Sequence, residues 1–246
     1  MTSQTQRVAI VTGASRGIGA AIARRLARDG IAIIVNYAMN PEAADEVVSA
    51  ISAEGGTALA VQADIGSPKG MTNLFDAAEA ALGGVDILVN NAAVMTLSPL
   101  IGVDDESFQV QVDTNLGGVF RGLREAGRRL RDGGRIVSFS SSVVGLYQPT
   151  YGVYAATKAA VEALTHVFAK ELGPRRVTVN AVAPGPVETD LFLTGKSDEQ
   201  VKAIVGMNPM RRLGQPEDIA SVVAFLVSPE GGWINGQTIR ANGGVI

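Results

Sequence analysis

Tyr154 and Lys158 stand four residues apart in Tyr154-Ala155-Ala156-Thr157-Lys158, inside a stretch whose pattern predicts a helix from Val153 to Leu172. At helical pitch that spacing puts a phenol and an ammonium on one face. A cation held beside a phenol favours phenolate, so a group that ordinarily titrates near pH ~10 becomes a proton donor closer to working pH. Tyr147 has Tyr151 four positions on and Tyr151 has Ala155, so of these three tyrosines only Tyr154 has the cation. Taken alone, the pair also describes a surface tyrosine beside a solvated lysine, and its meaning depends on what the chain builds around it.

A second chemical feature lies near the start. Thr12-Gly13-Ala14-Ser15-Arg16-Gly17-Ile18-Gly19 follows the apolar run from Val8 and opens a helical pattern. Glycines between a first strand and first helix permit a tight turn and let backbone N–H groups approach a pyrophosphate, which the helix N-terminus also attracts. Sites for NAD usually carry an acidic residue about 20 positions on, reading the ribose 2′-hydroxyl. Here the second apolar run ends Val35-Asn36-Tyr37-Ala38 and the next carboxylate is Glu42. Without that repulsion a 2′-phosphate can be accepted, and Arg16 offers it a cation beside Asn36 and Tyr37. The expected cofactor is therefore NADP(H). The same loop also fits a Gly-x-Ser-x-Gly nucleophile elbow at Ser15, with His166 as a later base, but such an elbow needs earlier strands and only a short lead precedes Val8.

Composition narrows the remaining chemistry. The 246 residues contain no cysteine and a single histidine, which removes thiol nucleophiles, thiolate metal sites and a histidine-based zinc site. A formal net charge of −3 argues against nucleic acid as a main partner. The polar lead Met1 to Arg7 is too short for a signal peptide, and no apolar run approaches the ~18 residues of a membrane span. A soluble, cytoplasmic protein without a membrane partner is expected, its chemistry supplied by Tyr, Ser, Lys, carboxylates or a cofactor.

The elements that must position these groups alternate along the chain. Apolar runs at Val8 to Thr12, Ile31 to Asn36, Thr57 to Gln62, Val85 to Asn90, Arg135 to Ser140, Val177 to Val182 and Gln237 to Arg240 predict strands. Helical patterns fall at Ile18 to Asp29, Pro41 to Ala53, Pro68 to Leu82, Glu106 to Arg131, Val153 to Leu172 and Pro216 to Leu226. Such alternation, with no linker or composition break, predicts one α/β domain over residues 1–246, its parallel sheet covered on both faces and its ligands beyond the strands' carboxyl ends. On the long predicted helix, Arg121, Arg124, Arg128 and Arg131 share a face opposite Leu116, Val119, Phe120, Leu123 and Leu130. That face is solvated, an interface, or a dock for an acidic acyl carrier protein.

Taken together, Thr12 to Gly19, Asn90-Asn91-Ala92-Ala93, Asn115, a serine ahead of Tyr154-x-x-x-Lys158, and Pro184-Gly185 resemble the short-chain dehydrogenase/reductase family, in family order and over nearly the whole chain. The look is closest to its 3-oxoacyl-carrier reductases. The resemblance implies a single-domain Rossmann fold of about seven parallel strands, a nicotinamide cofactor and carbonyl/alcohol interconversion, in a homotetramer. It makes Tyr154 the proton donor, with Lys158 lowering its pKa and holding the nicotinamide ribose. It assigns Gly13, Ser15, Arg16, Gly17, Ile18, Gly19, Pro184 and Gly185 to the cofactor site, Asp64 and Ile65 to the adenine edge, Asn91 to the cofactor floor, and Val187 with Thr189 to the carboxamide region. Asn115 resembles the residue that helps hold a relay water on the lysine side.

The family's assisting serine usually lies thirteen residues before the tyrosine, which selects Ser141. A one-residue loop deletion would select Ser142 instead, as in relatives where the serine directly precedes a triplet like Val143-Val144-Gly145. Leu146, Tyr147, Tyr151, Pro186 and a lid near residues 188–210 would flank the substrate. The implied substrate is a small carbonyl or alcohol compound, with a 3-oxoacyl thioester first and a sugar, polyol or cyclic alcohol as alternatives; a cofactor-binding regulator without turnover is the remaining class. The missing carboxylate after the second strand predicts a higher kcat/KM with NADPH than with NADH, and the reverse preference would remove the assignment of Arg16.

Overall fold

The apolar runs hydrogen-bond side by side in the computed structural model, which describes residues 6–246, so that part of the polar lead lies outside the described residues. The strands are β1 (Val8–Val11), β2 (Ala32–Tyr37), β3 (Ala58–Gln62), β4 (Val85–Asn90), β5 (Leu130–Phe139), β6 (Thr178–Pro184) and β7 (Thr238–Ala241). They form one parallel sheet in the order β3-β2-β1-β4-β5-β6-β7. The larger helices are α1 (Gly17–Arg28), α2 (Pro41–Ala53), α3 (Gly70–Leu82), α4 (Asp105–Gln111), α5 (Gly118–Arg129), α7 (Gly152–Leu172), α9 (Asp198–Met207) and α10 (Pro216–Val227), with short turns α6 (Val143–Leu146) and α8 (Asp190–Leu193).

Period-two alternation decides which helix packs where. Ala9, Val11, Ile33 and Val35 face one side and meet Ile22 and Leu26 of α1, Val47 of α2 and Val223 of α10. Ile10, Ile34 and Leu88 face the other and meet Leu74 and Phe75 of α3, Leu123 of α5 and Val161 of α7. A sheet buried on both faces reads as unbroken apolar runs, which is why β1 and β2 were legible. No helix among the described residues is long and apolar enough to cross a membrane.

The long helix expected from Glu106 to Arg131 is broken. After α4 the backbone passes through a π turn at Val112–Gly117 before α5, and β5 already begins at Leu130. Inserted turns of this kind re-aim a side chain and often mark functional sites. Here Asn115 turns fully inward, its Oδ1 accepting from the Val94 N–H at 2.8 Å and its Nδ2 donating to the Val94 carbonyl at 2.8 Å.

The break also scatters the arginine stripe. Arg121 points into the structure and donates to the carbonyls of Ile65, Gly66 and Asp113, pinning the loop after β3 to the π turn. Arg131 lies in β5 and pairs with Asp86 at 3.0 Å. Arg129 is held by Asp76 and Glu79, both at 2.7 Å, which keep it firmly protonated. Phe120, expected on the apolar face, is instead about half exposed beneath Arg124.

Three helices escaped the sequence reading. α6 and α8 are too short to show a period, but α9 starts with a capping box in which Ser197 and Gln200 exchange side-chain and backbone hydrogen bonds, a pattern readable in Ser197-x-x-Gln200. Replacing Arg121 with leucine strands three backbone carbonyls at once. Arg121→Leu should therefore lower stability by roughly 2–4 kcal/mol, read as a fall in the urea midpoint; a shift below about 0.5 kcal/mol would show that the carbonyls find other partners.

Candidate active site

The sheet order reverses direction between β1 and β4, and the crevice beyond their ends is where an α/β sheet takes ligands. Thr12 and Asn91 lock the two strand ends together. Thr12 Oγ1 accepts from the N–H groups of Asn91 and Ala92, each at 3.0 Å, while Asn91 Nδ2 donates back to the Thr12 carbonyl at 2.9 Å. Gly13 follows at φ +63°, where a Cβ would stand 2.9 Å from Ala92 Cα, so the loop can lie this close only as glycine. A Cβ at Gly19 would run into the Gly13 carbonyl. Arg16 then precedes α1 without a side-chain cap, leaving the amides of Gly17 and Ile18 at an open helix start. This bare cradle of backbone N–H groups fits a dinucleotide pyrophosphate.

Asn36 occupies a different place from the one expected. Its side chain is buried beneath the glycine loop, accepting from the Gly13 N–H at 3.1 Å and donating to the carbonyls of Val61 and Ala63. All its capacity is spent, so it shapes the loop and has nothing left for a 2′-phosphate. Arg16 is three-quarters exposed, and its carboxylate neighbour Asp190 is 3.9 Å away and equally exposed. Such a pair contributes at most about 1 kcal/mol and leaves the guanidinium available. Ser15 lines a separate cavity behind the loop with Arg24 and Glu46, and Tyr37 closes β2. His166 Nδ1 donates to the Gly236 carbonyl at 3.0 Å, and His166 does not line the Ser15 cavity, so no serine hydrolase triad is assembled there.

The other expected ligand residues surround the crevice. Asp64 is exposed and accepts from the Gly66 N–H, while Ile65 is buried. Pro184 ends β6, Gly185 packs against Asn242, Val187 bridges to Gly214, and Thr189 caps α8 while touching the space over Gly17. Asn115 is brought close to the helix of Tyr154 through Thr157 Oγ1, 3.4 Å from its Nδ2. Its side chain is committed to Val94 and Thr157, and so it does not reach Lys158.

Three serines follow β5, and each hydroxyl goes elsewhere. Ser140 donates to Glu162 at 2.6 Å, and Ser142 donates to the Ala183 carbonyl while accepting from Asn242. Ser141 is the serine beside Tyr154: its hydroxyl pulls the phenol's pKa down, and it accepts from the Val143 N–H at 3.4 Å. Lys158 is almost completely buried and donates to the Phe139 carbonyl at 2.9 Å, with its Nζ 5.5 Å from the centre of the Tyr154 ring. No sequence signal points to that carbonyl, since a backbone acceptor has no residue type.

Burial corrects the expectation of an acidified phenol. It pushes Tyr154 up to about 12, outweighing the opposing hydrogen bond from Ser141, and Tyr151 nearby adds to the rise. Burial likewise brings Lys158 down to about 8. The ammonium lies beside the ring and bonds to a carbonyl, so the two desolvated groups each favour the neutral form. Tyr154 therefore keeps its proton through the physiological range.

These groups form the floor of a cavity of about 330 Å³, a size suited to a small molecule. Leu191, Phe192, Ile204, Met207 and Val245 line it with apolar surface, and Gln148 and Tyr151 also line it. Leu146 and Pro186 line it as expected, whereas Tyr147 points outward and is largely exposed. Ile204 falls within the lid segment expected near residues 188–210, whereas Val245 went unnoticed in the sequence, because an apolar residue at a pocket reads like any other.

Comparison with known proteins adds a second line. The family described as enoyl-(acyl carrier protein) reductase matches residues 13–246. A short-chain type dehydrogenase/reductase of Picea abies is 46% identical, covering 98% of this chain and 92% of the relative. NADPH-dependent aldehyde reductase 2, chloroplastic, of Arabidopsis thaliana is 44% identical over 98% of this chain and 94% of its own. The crystal structure of angucycline C-6 ketoreductase LanV with bound NADP superposes with a TM-score of 0.92 at 36% identity, covering 97% of this chain and 95% of that one.

Lys158 links the site to stability. Below pH 8 both folded and unfolded chains hold its proton, and the folded state carries the cost of the buried charge. Between 8 and 10.5 the unfolded chain binds more protons, so this group makes stability rise with pH. Tyr154 acts oppositely between 10 and about 12, where the folded chain keeps a proton the unfolded chain loses. Lys158→Met should accordingly be more stable than the parent at neutral pH by roughly 1–3 kcal/mol, with the gap closing toward pH ~10 in urea titrations. A gap independent of pH would show that Lys158 is not desolvated.

Proposed function

This chain belongs to the short-chain dehydrogenase/reductase family, and on that premise we propose that it is an NADP(H)-dependent oxidoreductase that reduces a neutral, largely apolar ketone to a secondary alcohol. The observation that carries this reading is the convergence of the Tyr154 phenol, the Ser141 hydroxyl and the buried Lys158 at the floor of an apolar cavity. NADP(H) is supported by the exposed Arg16, by the lack of a carboxylate at the end of β2, and by the cofactors named for the Arabidopsis relative and the LanV structure.

The bound cofactor supplies the hydride and, once oxidised, a positively charged ring. Ser141 Oγ and Tyr154 Oη hold the substrate carbonyl oxygen, and Tyr154 gives that oxygen its proton as charge develops there. A phenol that ordinarily stays protonated suits the reductive direction, and the buried Lys158 beside its ring favours the phenolate left behind. The apolar wall excludes water and leaves these two hydroxyls as the directed contacts for the oxygen.

Within this class the 3-oxoacyl thioester remains a substrate reading, supported by the whole-chain resemblance and by an apolar wall fit for an acyl chain. Docking of its acyl carrier would fall to Arg128, because Arg129 is already engaged by Asp76 and Glu79. A homotetramer is supported by half-exposed Phe108, Val110 and Phe120 on α4 and α5, and a cytoplasmic location by the composition.

Tyr154→Phe tests the reading. It should cut kcat for ketone reduction by about 100-fold or more while leaving the Kd for NADPH within about twofold, measured by nucleotide fluorescence. Near-normal turnover would refute the donor, and a parent protein that binds NADPH but reduces no ketone in a broad panel would favour a regulator.

A further inference from the structure

At the end of the sheet opposite the active site, two half-buried arginines stand near each other without a counter-charge. Arg7 directly precedes β1 and Arg135 lies in β5, and both strands flank β4. Ala9, Ile87, Arg135 and Thr178 form one register row across β1, β4, β5 and β6. Residues of a row share a face of the sheet, and Arg7, two positions before Ala9, shares it as well. That face is the one covered by α1 and α10, since Ala9 and Ile87 pack in its core while Ile136 and Val179 pack in the other. Arg7, Arg135 and Thr178 therefore meet at the amino edge of the sheet, beneath the end of α10.

Their polar atoms are only partly used. Arg7 Nη1 donates to the Val227 carbonyl at 2.9 Å, and Arg135 Nη1 to the carbonyls of Gly133 at 2.6 Å and Gly134 at 2.9 Å. Arg135 Nε is shut off from solvent without a partner, and so is the hydroxyl of Thr178, a residue only 6% exposed on the neighbouring strand. Over Arg135 the turn Glu230–Trp233 closes, with Gly232 so near that a Cβ would stand 3.4 Å from Nη2. Buried orphans of this kind are costly, and in native proteins they mark a bound ion or an ordered water. The charges distinguish the two. Asp86, the carboxylate that acts on Arg7, is already taken by Arg131 at 3.0 Å and by the Val8 N–H at 2.8 Å. No carboxylate offsets Arg135: burial lowers its pKa, and Arg7 lowers it further as a like charge. Guanidiniums stay protonated even so, and a water would bring an acceptor but no negative charge.

We propose that a small tetrahedral oxyanion, of the phosphate or sulfate class, binds at this corner between Arg7, Arg135 and the Thr178 hydroxyl, and ties β1, β5 and β6 to the turn after α10. Arg135 donates to it through Nε, Thr178 through Oγ1 and Arg7 through the donors that Val227 leaves unused. Charge-assisted bonds from guanidinium to oxyanion are among the stronger ones available, and the ion relieves the repulsion between the two arginines. The turn over Arg135 and the buried donor atoms suit a compact inorganic ion rather than a phosphate ester. The site is separate from the reaction, whose ligands lie beyond the carboxyl ends of the strands, and it does not depend on the ketoreductase reading.

Equilibrium dialysis against labelled inorganic phosphate, at ionic strength held constant with chloride, tests the site. The full chain should take up about one saturable phosphate, which unlabelled sulfate displaces and saturating NADPH does not. Arg135→Gln and Thr178→Val should each weaken uptake about tenfold or more. Should Arg135→Gln fail to fold, Thr178→Val, which keeps the side chain's shape, decides alone. A tenfold excess of phosphate over its Kd should raise the Tm of the parent by about 3–6 °C. The rise in Thr178→Val should be under about 1 °C, the part that general exclusion of the ion from protein surface accounts for. No saturable uptake, the result if water alone fills the corner, overturns the proposal. So does uptake that Thr178→Val leaves unchanged, or that NADPH displaces, which would put the ion in the nucleotide cradle. Phenyl phosphate bound as tightly as inorganic phosphate would show an open surface site and overturn it as well.

Discussion

Burying the Lys158 ammonium is the constraint around which the site is organised. A lone buried charge is costly, and the chain meets that cost with one acceptor, the Phe139 carbonyl at the end of β5. The bond fixes α7 against the sheet at a defined height. Ser140 repeats the anchoring one residue later through Glu162, a turn further along the same helix. Tyr154, between these anchors and the crevice, inherits its position from them. The serine at its hydroxyl is chosen by strand geometry, because Ser140 faces α7, Ser142 faces β6 and Asn242, and Ser141 faces the opening.

The cofactor cradle rests on a second network that is equally indirect. Thr12, Asn36 and Asn91 place their polar groups on backbone atoms of the loop. They act like struts, holding glycine-rich backbone in a shape that presents unpaired N–H groups. The π turn does similar work on the far side of β4, where Asn115 supports Val94 and Arg121 supports the loop carrying Asp64 and Ile65. Polar residues around this crevice mostly hold the backbone, and few are left to meet a ligand directly.

That economy shapes specificity. With most polar groups spent on structure, the substrate side is an apolar surface broken by few hydroxyls and amides. Fold and catalytic constellation name a reaction class, and the residues of one connection, from Leu146 to Tyr151, and of one lid, from Leu191 to Met207, name the molecule. These segments differ in character from the sheet, with short helices, unusual backbone angles and little regular period.

Much of this was legible beforehand. The seven strands, the glycine loop and the Tyr154–Lys158 spacing follow from periodicity and residue type, because a doubly covered sheet writes its strands as apolar runs and a helix face writes itself at intervals of four. The break in the long helix was not, since a π turn is set by Asn115 reaching Val94 across the fold. Nor was the fate of Asn36, Arg121 or Arg131, whose partners are backbone carbonyls and a carboxylate distant in sequence. The sequence by itself determined which groups exist and which local elements carry them. Only the tertiary structure decided their protonation, since burial sends Tyr154 up and Lys158 down where adjacency suggested the reverse for the phenol. Desolvation depends on everything packed around a group, and no spacing along the chain encodes that.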